Sequence, residues 1–182
     1  MVTVSYCSRS HNETQYIHLR QVFGEGAEII ENIIDDPQEG LYLTKAYNDV
    51  IRSANSDIVV LIHDDATFEA DYVEKKIENR IRSMFDKNPE YGILGVIAYC
   101  DNSIVDQPMM DSIAFIHARE GEHFNRGWLE PYSEDVKQEI LLDGVFLAIK
   151  KDRIKKLFNE DNRGFDFYDI EFCLENYLEG VK

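Results

Sequence analysis

The stretch Asp57-Ile-Val-Val-Leu-Ile-His-Asp-Asp65 limits what this chain can fold into more than any other. Apolar residues stand side by side from Ile58 to Ile62, all but Leu61 β-branched, and polar residues follow at once. A strand with one wet face would alternate. An uninterrupted run is buried on both faces, as at the centre of a parallel sheet covered by helices on either side. In such domains ligands bind beyond the carboxyl ends of the strands, which is where His63-Asp64-Asp65 falls.

The flanking segments predict the rest of that architecture. Val2–Cys7 reads as a short strand of β-branched and aromatic residues. Glu13–Phe23 carries Tyr16, Leu19, Val22 and Phe23 at helical spacing. Ala27–Glu31 reads as a second strand. Leu41–Ala54 reads as a helix with Leu43, Ala46, Tyr47, Val50 and Ile51 on one stripe. The strand Asp57–Ile62 comes next, then a helix over Asp71–Phe85 and a strand over Ile93–Tyr99. The alternation predicts an α/β fold, a single domain over 1–182 with three α/β/α layers and a mostly parallel central sheet. Residues 101–139 are irregular, with room for one extra strand. A strand over Ile140–Ile149, a helix over Asp152–Phe158 and a final helix over Asp169–Leu178 complete the chain.

Charge narrows the choice of partners. Asp and Glu number 35 against 19 Lys and Arg, a formal net charge of -16. A surface this acidic repels phosphate backbones and anionic membranes, so nucleic acid is a poor candidate partner. An anionic small ligand would need a local cation. The cysteines Cys7, Cys100 and Cys173 are far apart and form no C-x-x-C pair, which speaks for buried free thiols in a reducing compartment. No apolar run reaches the ~20 residues of a membrane span, and Met1-Val-Thr-Val-Ser lacks the pattern of a signal peptide. A cytoplasmic protein is the expectation.

Three segments could carry chemistry. In Val59-Val-Leu-Ile-His-Asp-Asp-Ala-Thr-Phe68 two adjacent carboxylates repel each other unless a cation or hydrogen-bond donors offset the repulsion. A hard divalent ion shared with diphosphate oxygens would do so; a solvated turn, with Asp71 capping the next helix, is the plain alternative. In Gly164-Phe-Asp-Phe-Tyr-Asp-Ile-Glu171, Asp169 opens a helix, where the macrodipole favours an ionised carboxylate ready to take a proton. The alternative is an ordinary cap. In Leu142-Asp-Gly-Val-Phe-Leu-Ala-Ile149, Gly144 could let a ligand approach the backbone; a simple turn serves equally. His11, His18, His117 and His123 lack a supporting ligand pattern and read as surface or hydrogen-bonded residues. Trp128 and Tyr132 could stack on a sugar or anchor a loop.

Taken together, these segments resemble the family-2-like glycosyltransferases with the nucleotide-diphospho-sugar transferase (GT-A) fold, and within them the subgroup named after a streptomycin-biosynthesis protein. Gly40-Leu-Tyr-Leu-Thr-Lys-Ala-Tyr-Asn48 is similar to the helix after the second strand, which reads Leu-x-x-Ala-x-Asn. Ser56–Asp65 resembles the strand leading to the D-x-D metal motif, Leu142–Ile149 the acceptor-side strand, and Phe167-Tyr-Asp-Ile-Glu-Phe-Cys-Leu174 the Glu-Asp-x-Asp-Leu helix start. The resemblance implies a nucleotide-binding half over 1–100 and an acceptor-side half over 101–182. It makes Asp65 the metal ligand, Asp64 the middle position and Asp169 the catalytic base. It puts Cys7, Ser8, Arg9 and a polar residue after the second strand, Asn32 or Glu31, on the nucleotide, with Lys45 near the diphosphate. Trp128, Asp143, Gly144 and Tyr168 fall on the acceptor side.

Departures from the pattern are plain. His63 stands where the first Asp is usual, Tyr168 replaces a Glu, and Glu171 replaces the second Asp. Family members usually continue with another strand, whereas this chain ends at Gly180-Val-Lys182, as a truncated or minimal domain would. The implied activity is inverting transfer from a nucleotide-sugar, a UDP-sugar first, with Mn or Mg as cofactor and a glycan or small-molecule hydroxyl as acceptor. A homodimer is compatible with this reading. The competing reading is a degenerate domain that binds nucleotide or glycan without transfer. A Mg-dependent phosphoryl-transfer enzyme ranks third, because Asp64-Asp65-Ala66-Thr67 does not match D-x-D-x-T.

Overall fold

A computed structural model describes residues 1–34, 41–68, 76–95, 97–99, 110–112 and 141–182. Its elements run β1 (Thr3–Ser8), α1 (Glu13–Phe23), β2 (Glu28–Ile33), α2 (Leu43–Ser53), β3 (Ile58–His63), α3 (Lys76–Lys87), β4 (Ile93–Gly95), β5 (Ile97–Tyr99), β6 (Met110–Ser112), β7 (Leu141–Leu142), β8 (Phe146–Lys150) and α4 (Tyr168–Leu178). Asp71, Cys100, His117, His123, Trp128 and Tyr132 lie outside the described residues.

Five strands form the larger sheet in the order β2-β1-β3-β8-β4, and β6-β5-β7 form a smaller one. β1 is parallel to β2 and β3, but β8 runs antiparallel to both β3 and β4. The sheet is therefore mixed, where the apolar run at β3 predicted a mostly parallel one. Burial on both faces needs helices above and below, and it places no demand on the direction of the next strand.

Alternation along the strands sorts the core into two clusters. Val4, Ile58, Val60, Ile62 and Ala148 pack with Leu19 and Phe23 of α1 and with Ile81 and Phe85 of α3. Val59, Leu61, Leu147 and Ile149 pack with Tyr47 and Val50 of α2 and with Phe172 of α4. Neighbouring residues of β3 thus face different helices, and each fully buried aliphatic side chain contributes about 1.5–3 kcal/mol. α1 starts at Asn12, whose Oδ1 accepts from the Gln15 N–H at 3.1 Å, and stops at Gly24, whose φ of 79° suits glycine.

Three further expectations fail. The apolar run 93–99 divides between sheets, β4 in one and β5 in the other. The segment 140–149 is likewise two strands, interrupted by a turn at Asp143–Val145. Asp152–Phe158 forms no helix. Its backbone is captured instead by side-chain amides, with Lys155 N and Lys156 N donating to Asn176 Oδ1 and Phe158 N donating to Asn48 Oδ1. Among the described residues no helix is long and apolar enough to cross a membrane.

Candidate functional site

Strand register gathers several candidate residues at one edge. Cys7 pairs with Asn32 of β2 on one side and with His63 of β3 on the other. The His63 N–H donates to the Val145 carbonyl at 3.2 Å, which brings the turn before β8 alongside. Asn32, Cys7, His63 and Val145 therefore stand in one row across the larger sheet. Asp64 and Asp65 follow directly, Asp64 half-buried and Asp65 exposed.

The turn after β3 is held from α1. Asn12 Nδ2 donates to the Asp64 carbonyl at 3.2 Å. Gln15 Nε2 donates to the carbonyls of His63 and Ala66 at 3.2 and 3.0 Å. Asn12 N also donates to Glu31 Oε1 at 2.6 Å, and Ser8 Oγ donates to the same oxygen at 3.1 Å. His11 Nδ1 is hydrogen-bonded to Glu31 Oε2. Burial works to raise the Glu31 carboxyl pKa, but these bonds outweigh it and hold the group below its ordinary value. Neither Asn12 nor Gln15 stood out as a candidate in the sequence. The signal was there in Asn12-Glu-Thr-Gln15, which has the spacing of a capping box. Here the glutamine reaches forward to the acidic turn instead of back to the cap.

A second turn positions the opposite wall. Asp143 Oδ1 accepts from the Val145 N–H at 2.9 Å and closes the bend into β8. The Gly144 N–H then donates to Asp169 Oδ2 at 2.6 Å, and Ile170 N donates to Asp169 Oδ1 at 2.8 Å. Hydrogen bonds to a carboxylate are the strong kind, and each oxygen keeps lone-pair capacity for another donor. Asp169 is not the cap of α4; that position is Phe167, in left-handed backbone. A Cβ on residue 144 would stand 2.1 Å from Tyr168 Oη and 2.6 Å from Cζ. The close approach that glycine permits at this point is made by the Tyr168 ring.

Tyr168 is buried, and His63 Nε2 lies 3.0 Å from its hydroxyl. Burial, with the charges of Asp169 and Asp143, pushes the phenol pKa well above its ordinary value, so the O–H stays in place. With Nε2 unprotonated, the phenol donates to it. Burial likewise pushes the Cys7 thiol up to about 12, against a hydrogen bond with Tyr47 that works the other way. Cys7 is a packed thiol at neutral pH, since the thiolate is the reactive form.

Asn32 Nδ2 donates to Ser5 Oγ at 2.8 Å and to the Tyr6 carbonyl at 3.4 Å. Arg9 is exposed. Lys45 lies on α2 with Nζ 2.6 Å from Asp49 Oδ2, so its charge is engaged by an acid one helical turn on. Trp128 lies outside the described residues. His18 is a hydrogen-bonded histidine, with Nε2 accepting from the Phe68 N–H at 3.0 Å. Among the described residues no three His, Cys, Asp or Glu side chains converge as a ready-made metal cage.

Fold and site define an α/β domain in which hydrogen bonds join the acidic turn after β3 to the turn before β8, and that turn to a carboxylate on α4, at one edge of the larger sheet. The sequence from 23 to 182 matches a family described as "Glycosyltransferase like family". The chain belongs to this glycosyltransferase-like family, which carries a glycosyl transfer role with a sugar donor and an acceptor as its partners. The matched span takes in both turns and the whole of α4. Among curated proteins the sequence finds no match. A solved structure described as "Crystal Structure of A197 from STIV" is similar in fold, with a TM-score of 0.50 and 11% identity, covering 97% of this chain and 78% of that one.

Proposed function

We propose that this chain is an inverting glycosyltransferase of the three-layer GT-A type, moving a sugar from a nucleotide-diphosphate donor, a UDP-sugar first, to a glycan or small-molecule hydroxyl. One observation carries the reading: Asp169 is fixed by the Gly144 N–H at 2.6 Å on the same edge as His63-Asp64-Asp65. Asp169 takes the proton of the acceptor hydroxyl as that oxygen bonds to the anomeric carbon, while the bond from that carbon to the diphosphate oxygen breaks. The Gly144 and Ile170 N–H groups orient the carboxylate for this transfer.

Asp65, with Asp64 beside it, would hold a divalent Mn or Mg ion. Such ions take one or two protein carboxylates and fill their shell with phosphate oxygens and water, so an exposed acid on a rigid turn suits them better than a closed cage. When bound, the ion neutralises charge on the departing diphosphate. Cys7, Ser8, Arg9 and Asn32 line the nucleotide side within residues 1–100, and Asp143, Gly144 and Tyr168 the acceptor side within 101–182. Arg9 is the local cation nearest in sequence to the edge; Lys45 would have to leave Asp49 to act as one.

Calorimetric titration of UDP and GDP with and without Mn tests the reading. Metal-dependent binding that disappears in Asp65→Ala is the expected result, and Asp169→Asn should keep nucleotide binding but lose transfer. Binding of no nucleotide under either condition would refute the proposal. A domain that binds without transfer is the second reading, favoured by one observation: the His63 ring is occupied by Tyr168 where the resemblance puts an acid. Nucleotide binding with no turnover by any acceptor would select it.

A further inference from the structure

The segment leading into α4 is firmly held, yet it keeps two phenylalanines in solvent. Thr44 Oγ1 donates to the Asn162 carbonyl at 2.9 Å, and Asn162 Nδ2 donates to the Asp166 carbonyl at 3.3 Å. Gly164 N donates to Asn162 Oδ1 at 3.2 Å, and Asn159 Nδ2 donates to Glu171 Oε1 at 2.8 Å. The Arg163 guanidinium stacks 5.4 Å from the centroid of the Tyr42 ring. On this braced segment Phe165 is 48% exposed and Phe167 is 71% exposed.

The backbone of Phe167 makes the arrangement costlier. Its φ of 62° and ψ of 4° are left-handed, and it is the one non-glycine with positive φ among the described residues. Its side chain supplies no cap to the helix. Packing does not account for a bulky ring held there, and local strain of this kind collects at functional positions. The ring precedes Tyr168 and Asp169, the residues of the second turn's wall.

We propose that Phe165 and Phe167 form an aromatic platform that receives an uncharged sugar ring of the acceptor beside Asp169. Calling that sugar the acceptor rests on the transferase reading; the platform itself does not. A sugar ring presents C–H bonds to an aromatic face and hydroxyls to carboxylates, and both kinds of group are here. Between residues 159 and 171 stand Glu160, Asp161, Asp166, Asp169 and Glu171 against Arg163 alone. That charge balance repels anionic sugars and anionic bilayers alike.

Saturation-transfer NMR on the full chain with maltotriose, cellotriose and chitotriose tests the platform. Ring C–H protons of at least one trisaccharide should receive saturation. Phe167→Gly should weaken that binding about tenfold or more, and Phe165→Ala with Phe167→Gly should abolish the signal. Glycine suits the backbone at 167, so retained thermal stability shows that the loss comes from the ring and not from unfolding. No saturation of any trisaccharide, or an unchanged signal in the double variant, overturns the inference. Cosedimentation with phosphatidylcholine or phosphatidylglycerol vesicles that depends on the two rings would overturn it in favour of a bilayer surface. Nucleotide titration of the wild type separates the two readings. Nucleotide binding without sugar binding ends the platform and leaves the transferase; sugar binding without nucleotide binding supports the platform and ends the transferase.

Discussion

His63 Nε2 and Tyr168 Oη lie 3.0 Å apart, so one hydrogen bond joins the end of β3 to the first turn of α4 across 105 residues of sequence. It links the acidic turn to the helix that carries Asp169. Tyr168→Phe should keep the ring and lose the bond, lowering stability by about 1 kcal/mol. A double-mutant cycle with His63→Ala should return a coupling of about 0.5 kcal/mol or more. Additive effects in urea denaturation would show that the two side chains are neighbours without a shared bond.

Gly144 is fixed by the same ring. A methyl group there would meet Tyr168 Oη at 2.1 Å and Asp169 Cβ at 3.2 Å. Gly144→Ala should therefore push α4 away from the β8 turn and cost about 1–3 kcal/mol. It should also lengthen the Gly144 N–H bond to Asp169, which an amide proton shift at residue 144 would report. A stable variant with an unshifted amide would mean that the turn has slack the distances deny.

Glu31 gives the fold a pH dependence of known sign. Its folded-state pKa is depressed, the hydrogen bonds from Asn12, His11 and Ser8 outweighing burial. A depressed carboxyl contributes stability that is fully present above its unfolded pKa, roughly 4.3, and is lost as pH falls through the folded value. Glu31→Gln should thus be less stable than wild type by about 1–3 kcal/mol at pH 7, with the gap closing in acid. Equal gaps at pH 7 and in acid would exclude the carboxylate as the source.

Much of this was legible in the sequence, and the misses share a cause. The unbroken run of β3 and the stripe of α2 report burial, which is a local signal, and both elements form where that signal places them. Strand direction is not local: β8 looks like any buried strand, and only its route into the sheet makes it antiparallel. The run 93–99 is continuous in hydropathy, yet Gly95 meets Leu142 so closely that a Cβ there would stand 3.0 Å from Leu142 Cβ, at the point where the chain leaves one sheet for the other. At the site, Gly144 and Asp169 each stood out alone. The bond between them spans 25 residues and has no signature in either segment.

The segment 152–158 shows how distant residues can overrule a local preference, and it yields the last prediction. Asn176 Oδ1 accepts from Lys155 N and Lys156 N at 2.8 and 3.1 Å, and its Nδ2 donates to the Lys156 carbonyl at 3.2 Å. Asn48 Oδ1 accepts from Phe158 N, and its Nδ2 donates to the Phe158 carbonyl, both at 2.9 Å. A carboxamide matches a peptide group donor for acceptor, so two buried amides replace the bonds that a helix would have made. Removing either leaves backbone groups without partners, and Asn48→Ala or Asn176→Ala should each cost about 2–3 kcal/mol. Both anchor the same few residues, and once one is gone the segment is already partly undocked. The double variant should therefore cost about 1 kcal/mol less than the sum of the singles. Strict additivity would mean that the two asparagines hold independent pieces of chain, and that the segment has some further support keeping it out of a helix.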